Sequence, residues 1–227
     1  MQDLIAKKRM KFNYMFDKIT VDDPECSRVL VIVDAQLDFM PGGALAVDGG
    51  DQIIPYINQL IESGKYEYIV ATQDWHPANH GSFASKHNVP PFTMGELDGL
   101  PQMMWPDHCI QGTPGAELHP DLSPRIHAII RKGMSPDRDS YSGVKDNGDW
   151  STAWYTGLEL LIANVVADVV DIVGLATDFC VGHTALDLIE TGFTVRVLLK
   201  GCRGVNPEST SKMIAQLIEA GVEIIDG

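Results

Sequence analysis

Cys180 closes the segment Gly174-Leu175-Ala176-Thr177-Asp178-Phe179-Cys180, where an apolar run gives way to a helical pattern. A helix start offers unpaired N–H groups and positive partial charge, which stabilise a thiolate. The same N–H groups can serve as an oxyanion hole. The plain alternative is a structural cysteine, among the most buried of residue types. Asp34 follows the wholly apolar Val29-Leu30-Val31-Ile32-Val33. Poor hydration there raises a carboxyl pKa and suits a general base, against the plainer role of capping a turn. Lys132 stands just beyond a third apolar run. It can steady the Asp34 carboxylate and an anionic intermediate, or be a solvated strand-end charge. Together the three make a nucleophile with its base and a cation.

A second constellation is Asp74-Trp75-His76. Residues two apart on an extended segment point the same way. Trp105-Pro106-Asp107-His108 brings another imidazole from the same long connection. One carboxylate and two histidines form a catalytic-type metal set that leaves positions open for water or substrate. His80 is either a fourth ligand or a supporting neighbour, and the bland alternative for the whole set is surface histidines. His183, three residues after Cys180 on the same helical face, offers a rival Cys–His dyad. A helix directs both of those side chains along one surface, so the strand-end acid is better placed as the base. Neither GxxxxGK nor GxGxxG occurs, and nucleotide binding has no support. His108-Cys109 does not begin a phosphatase loop, because the position six beyond Cys109 is Gly115 rather than a phosphate-gripping arginine.

These residues need a scaffold that brings distant segments together. β-Branched and apolar runs predict strands over 29–33, 68–71, 126–130, 169–174, 193–199 and 222–225. Helical spacing predicts helices over 52–63, 151–164, from about 179 to a stop at Gly192, and over 207–220. The stretch from Trp75 to about Arg125 reads as a long, proline-rich loop. Alternating strands and helices imply an α/β fold: a single domain with an open parallel six-stranded sheet and helices on both faces. Ligands of such sheets sit beyond the carboxyl ends of the strands. Asp34, Asp74 and Lys132 stand at the ends of the first three strands, and the fourth runs into the Cys180 segment.

Composition narrows the partners. The chain has 227 residues, 44% of them hydrophobic, enough for one substantial core. Its formal net charge of −14 repels phosphate backbones and anionic lipid, so neither nucleic acid nor membrane is expected. No apolar run approaches the ~20 residues of a membrane helix. The four cysteines are scattered, with no CxxC pair, which fits a reducing, cytoplasmic location. The segment before the first strand carries Lys7, Lys8, Arg9, Lys11 and Lys18 but lacks the apolar stretch of a secretory signal, and it lacks the serines of a transit peptide.

The ordered motifs resemble the nicotinamidase/pyrazinamidase branch of the isochorismatase-like hydrolases. They are Asp34-Ala35-Gln36-Leu37-Asp38-Phe39, Asp74-Trp75-His76-Pro77, Trp105-Pro106-Asp107-His108-Cys109, Gln111-Gly112-Thr113-Pro114-Gly115-Ala116, Arg131-Lys132-Gly133, Asp139-Ser140-Tyr141-Ser142 and Ala176-Thr177-Asp178-Phe179-Cys180. The resemblance implies an N-terminal extension over 1–27 and a hydrolase domain over 28–227. It implies an Asp34–Lys132–Cys180 triad and an oxyanion hole from the N–H groups of Ala176 and Cys180, with a cis peptide between Leu175 and Ala176. It further implies a pyridine pocket lined by Phe39, Trp105 and Tyr141. One divalent metal would sit on Asp74, His76 and His108: zinc first, iron or manganese otherwise. The implied activity is hydrolysis of nicotinamide to nicotinate and ammonia through a cysteine thioester, in NAD salvage, with pyrazinamide a second substrate. A homo-oligomer is compatible with all of this. The competing readings are another amidohydrolase of the same fold and a catalytically silent binding module; release of ammonia from nicotinamide separates the three.

Overall fold

The computed structural model describes residues 26–226. The N-terminal extension and its basic residues therefore lie outside the described residues, apart from its last two positions. The strands are β1 Arg28–Val33, β2 Tyr68–Asp74, β3 Thr93–Leu97, β4 Leu100–Met104, β5 Ala128–Lys132, β6 Val169–Leu175, β7 Thr194–Arg203 and β8 Glu223–Ile225. The helices are α1 Ile54–Glu62, α2 Ala84–His87, α3 Leu158–Val165, α4 Gly182–Glu190 and α5 Pro207–Glu219. Six strands form one sheet in the order β5-β2-β1-β6-β7-β8, with every pair parallel. Helices flank it, as the alternation of patterns requires.

The order explains where chemistry can happen. The chain builds outward from β1 through β2 to β5, then returns to place β6 on the other side of β1. The crevice at such a reversal, beyond the strand carboxyl ends, is where α/β sheets bind ligands. β1 and β6 can lie at the centre because almost every residue in them is apolar and buried. Burying each Val, Leu or Ile contributes roughly 1.5–3 kcal/mol relative to exposure. The acid within β6, Asp171, is satisfied by its register partner Arg196 on β7 through two bonds of 2.6 and 2.7 Å, and by the Tyr66 hydroxyl at 2.8 Å. Gly174 has φ of +122°, and a Cβ there would collide with the Val33 carbonyl. Glycine at this place is what lets β6 close against β1 just ahead of the site.

Four sequence expectations need correction. The strand expected at 126–130 runs instead from Ala128 to Lys132, because the ladder with β2 pairs Val70 with Ala128 through Asp74 with Lys132. Lys132 is thus the last residue of a strand and stands beside Asp74. The stretch after Trp75 is not all loop. It contains short α2 and the antiparallel hairpin β3–β4, turned at Asp98-Gly99 with φ of +52° and +76°. A two-residue turn with both φ positive suits the twist of a hairpin, and Asp-Gly is its sequence signal. The helix expected from 151 starts only at Leu158, since Gly157 lies at φ +90° and cannot continue a right-handed helix. The segment expected to open as an α-helix near Phe179 begins as a one-turn π-helix, Thr177–Val181, and becomes α4 afterwards. Among the described residues, no helix is long and apolar enough to cross a membrane.

Candidate active site

Asp34 leaves β1 at φ +48°, a left-handed conformation that costs a non-glycine residue on the order of 1 kcal/mol or more. Thr72 on β2 holds it there. The Thr72 hydroxyl donates to Asp34 Oδ1 at 2.6 Å and accepts from the Asp34 N–H at 3.2 Å. The second oxygen, Oδ2, is fully buried and has no hydrogen-bond partner. Lys132 Nζ lies 3.0 Å from Oδ2 as an ion pair. The Lys132 donors are spent elsewhere: on Asp74 Oδ1 at 2.6 Å, the Ser140 carbonyl at 2.9 Å and Cys180 Sγ at 3.4 Å. Asp34, Asp74 and Cys180 each bring a donor atom within 4.8 Å of the others. The structure therefore gathers the three residues read from the sequence, with the Asp34 carboxylate and the Lys132 ammonium both beside the thiol.

Burial and the Lys132 charge act against each other on these groups. Burial raises the Asp34 carboxyl, and Lys132 only partly offsets this. Burial would also raise Asp74, but Lys132 and His76 overcome it and hold that carboxyl far below the usual range. Lys132 stays charged: burial opposes the ammonium, yet Asp34 and Asp74 drive its pKa well up. Burial pushes the Cys180 thiol well up, with Lys132 opposing and Asp34 adding to the rise. The turn carrying Cys180 is a short π-helix, and the thiol rests protonated until a base removes its proton. His183, one turn further on, packs its ring against Tyr141 at 5.4 Å. Burial, then Lys145 and Lys132, lower its pKa to about 4.

The second constellation also assembles. Asp74 Oδ2 lies 3.6 Å from His76 Nε2 and 4.0 Å from His108 Nε2. His76 Nδ1 meets the Gly133 carbonyl at 2.8 Å, and His108 Nδ1 meets the Pro106 carbonyl at 2.7 Å. A carbonyl only accepts, so each ring carries a proton on Nδ1 and directs its Nε2 towards Asp74. Such outer carbonyls are the usual way a protein fixes the tautomer of a metal-binding histidine. All three side chains are buried, and their donor atoms lie within 4.8 Å of one another. The donor set fits one divalent ion. Gln36 fixes the backbone of Asp74 by accepting from its N–H and donating to its carbonyl, both at 2.8 Å. Asp38 fixes the His108 segment by accepting from the Cys109 N–H at 2.7 Å.

His80 stacks on His76 with ring centroids 4.2 Å apart. Its Nδ1 accepts from the Ser82 N–H at 3.3 Å and lies 2.8 Å from the Ser82 hydroxyl, so the proton sits on Nε2, which faces the Arg138 carbonyl at 3.4 Å. Both nitrogens are engaged, while His76, His80 and Asp139 also bring donor atoms within 4.8 Å of one another. Gly133, at φ +64°, passes so close to His76 that a Cβ would collide with its ring carbon Cε1. We expect Gly133→Ala to displace the His76 ring and cut metal affinity roughly 10- to 100-fold, as loss of an outer-shell contact commonly does. Metal retained after dialysis checks this, and full retention by the variant would refute the tight approach.

Phe39, Trp105 and Tyr141 border a pocket that Asp74, His76 and His108 also line, with buried Ala176 and Cys180 in the same lining. The Leu175–Ala176 peptide is cis. Phe179 completes the aromatic wall, edge-on to Trp105 with centroids 5.0 Å apart. Sequence reading missed Phe179 as a wall, Thr72 as the holder of Asp34, Ser140 as the acceptor for Lys132, and Gln102, which donates to Asp139 at 2.7 Å behind Tyr141. Phe179 and Ser140 stand inside motifs quoted above, and Thr72 stands two positions before Asp74 on the same strand. Gln102 lies on the hairpin that had been read as loop.

A model of the isochorismatase domain matches residues 28–227. The chain belongs to the isochorismatase family. As a hydrolase of that family it is 46% identical to the nicotinamidase of Escherichia coli over 87% of this chain and 93% of the relative. A nicotinamidase/pyrazinamidase structure from Acinetobacter baumannii superposes with a TM-score of 0.83 at 45% identity, covering 88% of this chain and 96% of that one. The zinc complex of the Pyrococcus horikoshii pyrazinamidase superposes with a TM-score of 0.72 at 37% identity, covering 88% and 99%.

Proposed function

We propose that this protein hydrolyses nicotinamide to nicotinate and ammonia through a thioester on Cys180. The observation that carries the reading is Cys180, with buried Asp34 and Lys132 behind it, lining an aromatic pocket that the Asp74–His76–His108 set also lines. The nicotinamidases among its relatives support it.

Asp34 takes the thiol proton as Sγ adds to the carboxamide carbon. Lys132, already 3.4 Å from Sγ, balances the negative charge as it passes from carboxylate to sulfur and oxygen. The N–H groups of Ala176 and Cys180 receive the oxyanion. Asp34 returns its proton to the amide nitrogen, which leaves as ammonia, and the C–N bond breaks. Asp34 then deprotonates a water that adds to the thioester, and the thiol leaves with the proton restored. The aromatic walls hold the pyridine ring flat against this reaction line. Asp74, His76 and His108 would hold the metal, which when bound supplies a Lewis-acid contact for the ring nitrogen; we assign zinc from the donor set and the zinc-bound relative. Pyrazinamide carries a ring nitrogen in the same relation to its carboxamide and is the second substrate on this reading. The nicotinate formed enters NAD salvage. The four cysteines, all free and buried, suit the reducing cytoplasm. The hydrolase domain is placed at residues 28–227, with 1–27 an extension.

Benzamide tests the pocket's orientation. It has the shape of nicotinamide but lacks the nitrogen lone pair. We expect kcat/KM for benzamide to fall about a hundredfold below that for nicotinamide. The discrimination is smaller than the ~10⁴ of a site whose polar groups go unpaired, because water can fill the vacated position. The loss should fall on turnover as well as binding, since a ring free to rotate misplaces the carbonyl. His76→Ala should narrow the gap by slowing nicotinamide far more than benzamide. Equal kcat/KM for the two amides in the metal-loaded parent would end the orienting role.

A further inference from the structure

Val205, between β7 and α5, borders the pocket while remaining 38% exposed, so it stands at the mouth. Neither the nucleophile, the base nor the metal set touches on its role. Its backbone N–H donates to Asp178 Oδ1 at 2.9 Å, and the Asn206 N–H donates to Asp178 Oδ2 at 3.1 Å. The Ser209 hydroxyl donates to the same Oδ2. Asp178 is 5% exposed and lies two residues before Cys180 in the π turn. One carboxylate thus binds the mouth of the pocket to the nucleophile's own turn. There is little slack around it. A Cβ on Gly204 would collide with the Thr210 hydroxyl, and one on Gly182 with Met213.

The shape of the substrate supplies the rest, on the nicotinamide reading above. The ring nitrogen and the carboxamide-bearing carbon flank ring carbon C2. The groups assigned to them, Asp74, His76 and His108 on one side and Cys180 on the other, are all buried. With both directed inward, the opposite ring carbon, C5, faces outward to the mouth. We propose that Val205 is a specificity-determining residue that limits substituents at C5, and that Asp178 is the positioning residue that holds it in place.

The test is kcat/KM for nicotinamide and for 5-methylnicotinamide with the metal-loaded, full-length protein and its Val205→Ala, Ser209→Ala and Asp178→Asn variants. One methyl against an apolar wall shifts kcat/KM by about 10- to 200-fold. Val205→Ala is expected to raise the ratio of the methylated to the parent substrate about tenfold or more. Ser209→Ala and Asp178→Asn, which loosen the wall without shortening it, should raise the same ratio by less. General damage to the fold lowers both substrates together and leaves the ratio where it was, so the ratio separates positioning from stability. Should Asp178→Asn fail to fold, Ser209→Ala still removes one of the three bonds, from a half-buried side chain in the first turn of α5. An unchanged ratio in Val205→Ala, in a protein active on nicotinamide, overturns the specificity role. A raised ratio in Val205→Ala with none in the other two overturns the positioning role of Asp178. A parent inactive on nicotinamide overturns the activity reading and this proposal with it.

Discussion

Cys180→Ala is expected to lower kcat by on the order of 10⁴-fold or more while leaving the metal bound. Removing the atom that forms the covalent bond leaves only the oxyanion donors and the oriented pocket to act, and such residual catalysis is small. The metal set lies on other segments: Asp74 ends β2, and His76 and His108 belong to the connection after it. The Cys180 thiol touches that set only through Lys132, which bridges Sγ and Asp74. Replacing the thiol removes the weakest of the Lys132 contacts and keeps the Asp74 pair at 2.6 Å. Ammonia release and metal content should be measured on one sample. Substantial residual turnover would rule out Cys180 as the nucleophile, and loss of the metal would show that the two constellations depend on each other more than their contacts suggest.

Asp34→Asn should be nearly as damaging, again on the order of 10⁴-fold in kcat, because residues that act as a unit lose most of their effect when any one goes. The amide keeps the acceptor that Thr72 needs but cannot take the thiol proton. It also leaves Lys132 with one carboxylate partner in place of two. His183→Ala should cost much less. That ring packs on Tyr141, and the thiol has Lys132 and Asp34 nearer to hand. A His183→Ala variant more severely impaired than Asp34→Asn would reinstate the Cys–His dyad and remove Asp34 as the base.

The parallel sheet and the positions of Asp34, Asp74, Lys132 and Cys180 were readable because each follows or ends an apolar, β-branched run, and such runs become strands of the sheet: buried at its centre for β1, β2 and β6, at its edge for β5. The convergence of four strand ends on one crevice then follows from topology alone. The hairpin β3–β4 was missed although Asp98-Gly99 announces it. Pro101, Gly95 and the scattered methionines obscure the alternation around that turn, and the strand pair lies apart from the main sheet. The contacts that Lys132 makes with Cys180 and Asp74 were also out of reach, because they and the burial that pushes Asp34 and Cys180 up are properties of the assembled fold. The same holds for His80. Its sequence position allows ligation, and only the Ser82 N–H and Arg138 carbonyl show that both nitrogens are engaged.

The most direct measurement is turnover of nicotinamide by the purified, zinc-loaded protein, with ammonia and nicotinate quantified in the same reaction. The account predicts the two products in equal molar amounts over many turnovers, and none from Cys180→Ala. Failure of the metal-loaded protein to release ammonia from nicotinamide would contradict it.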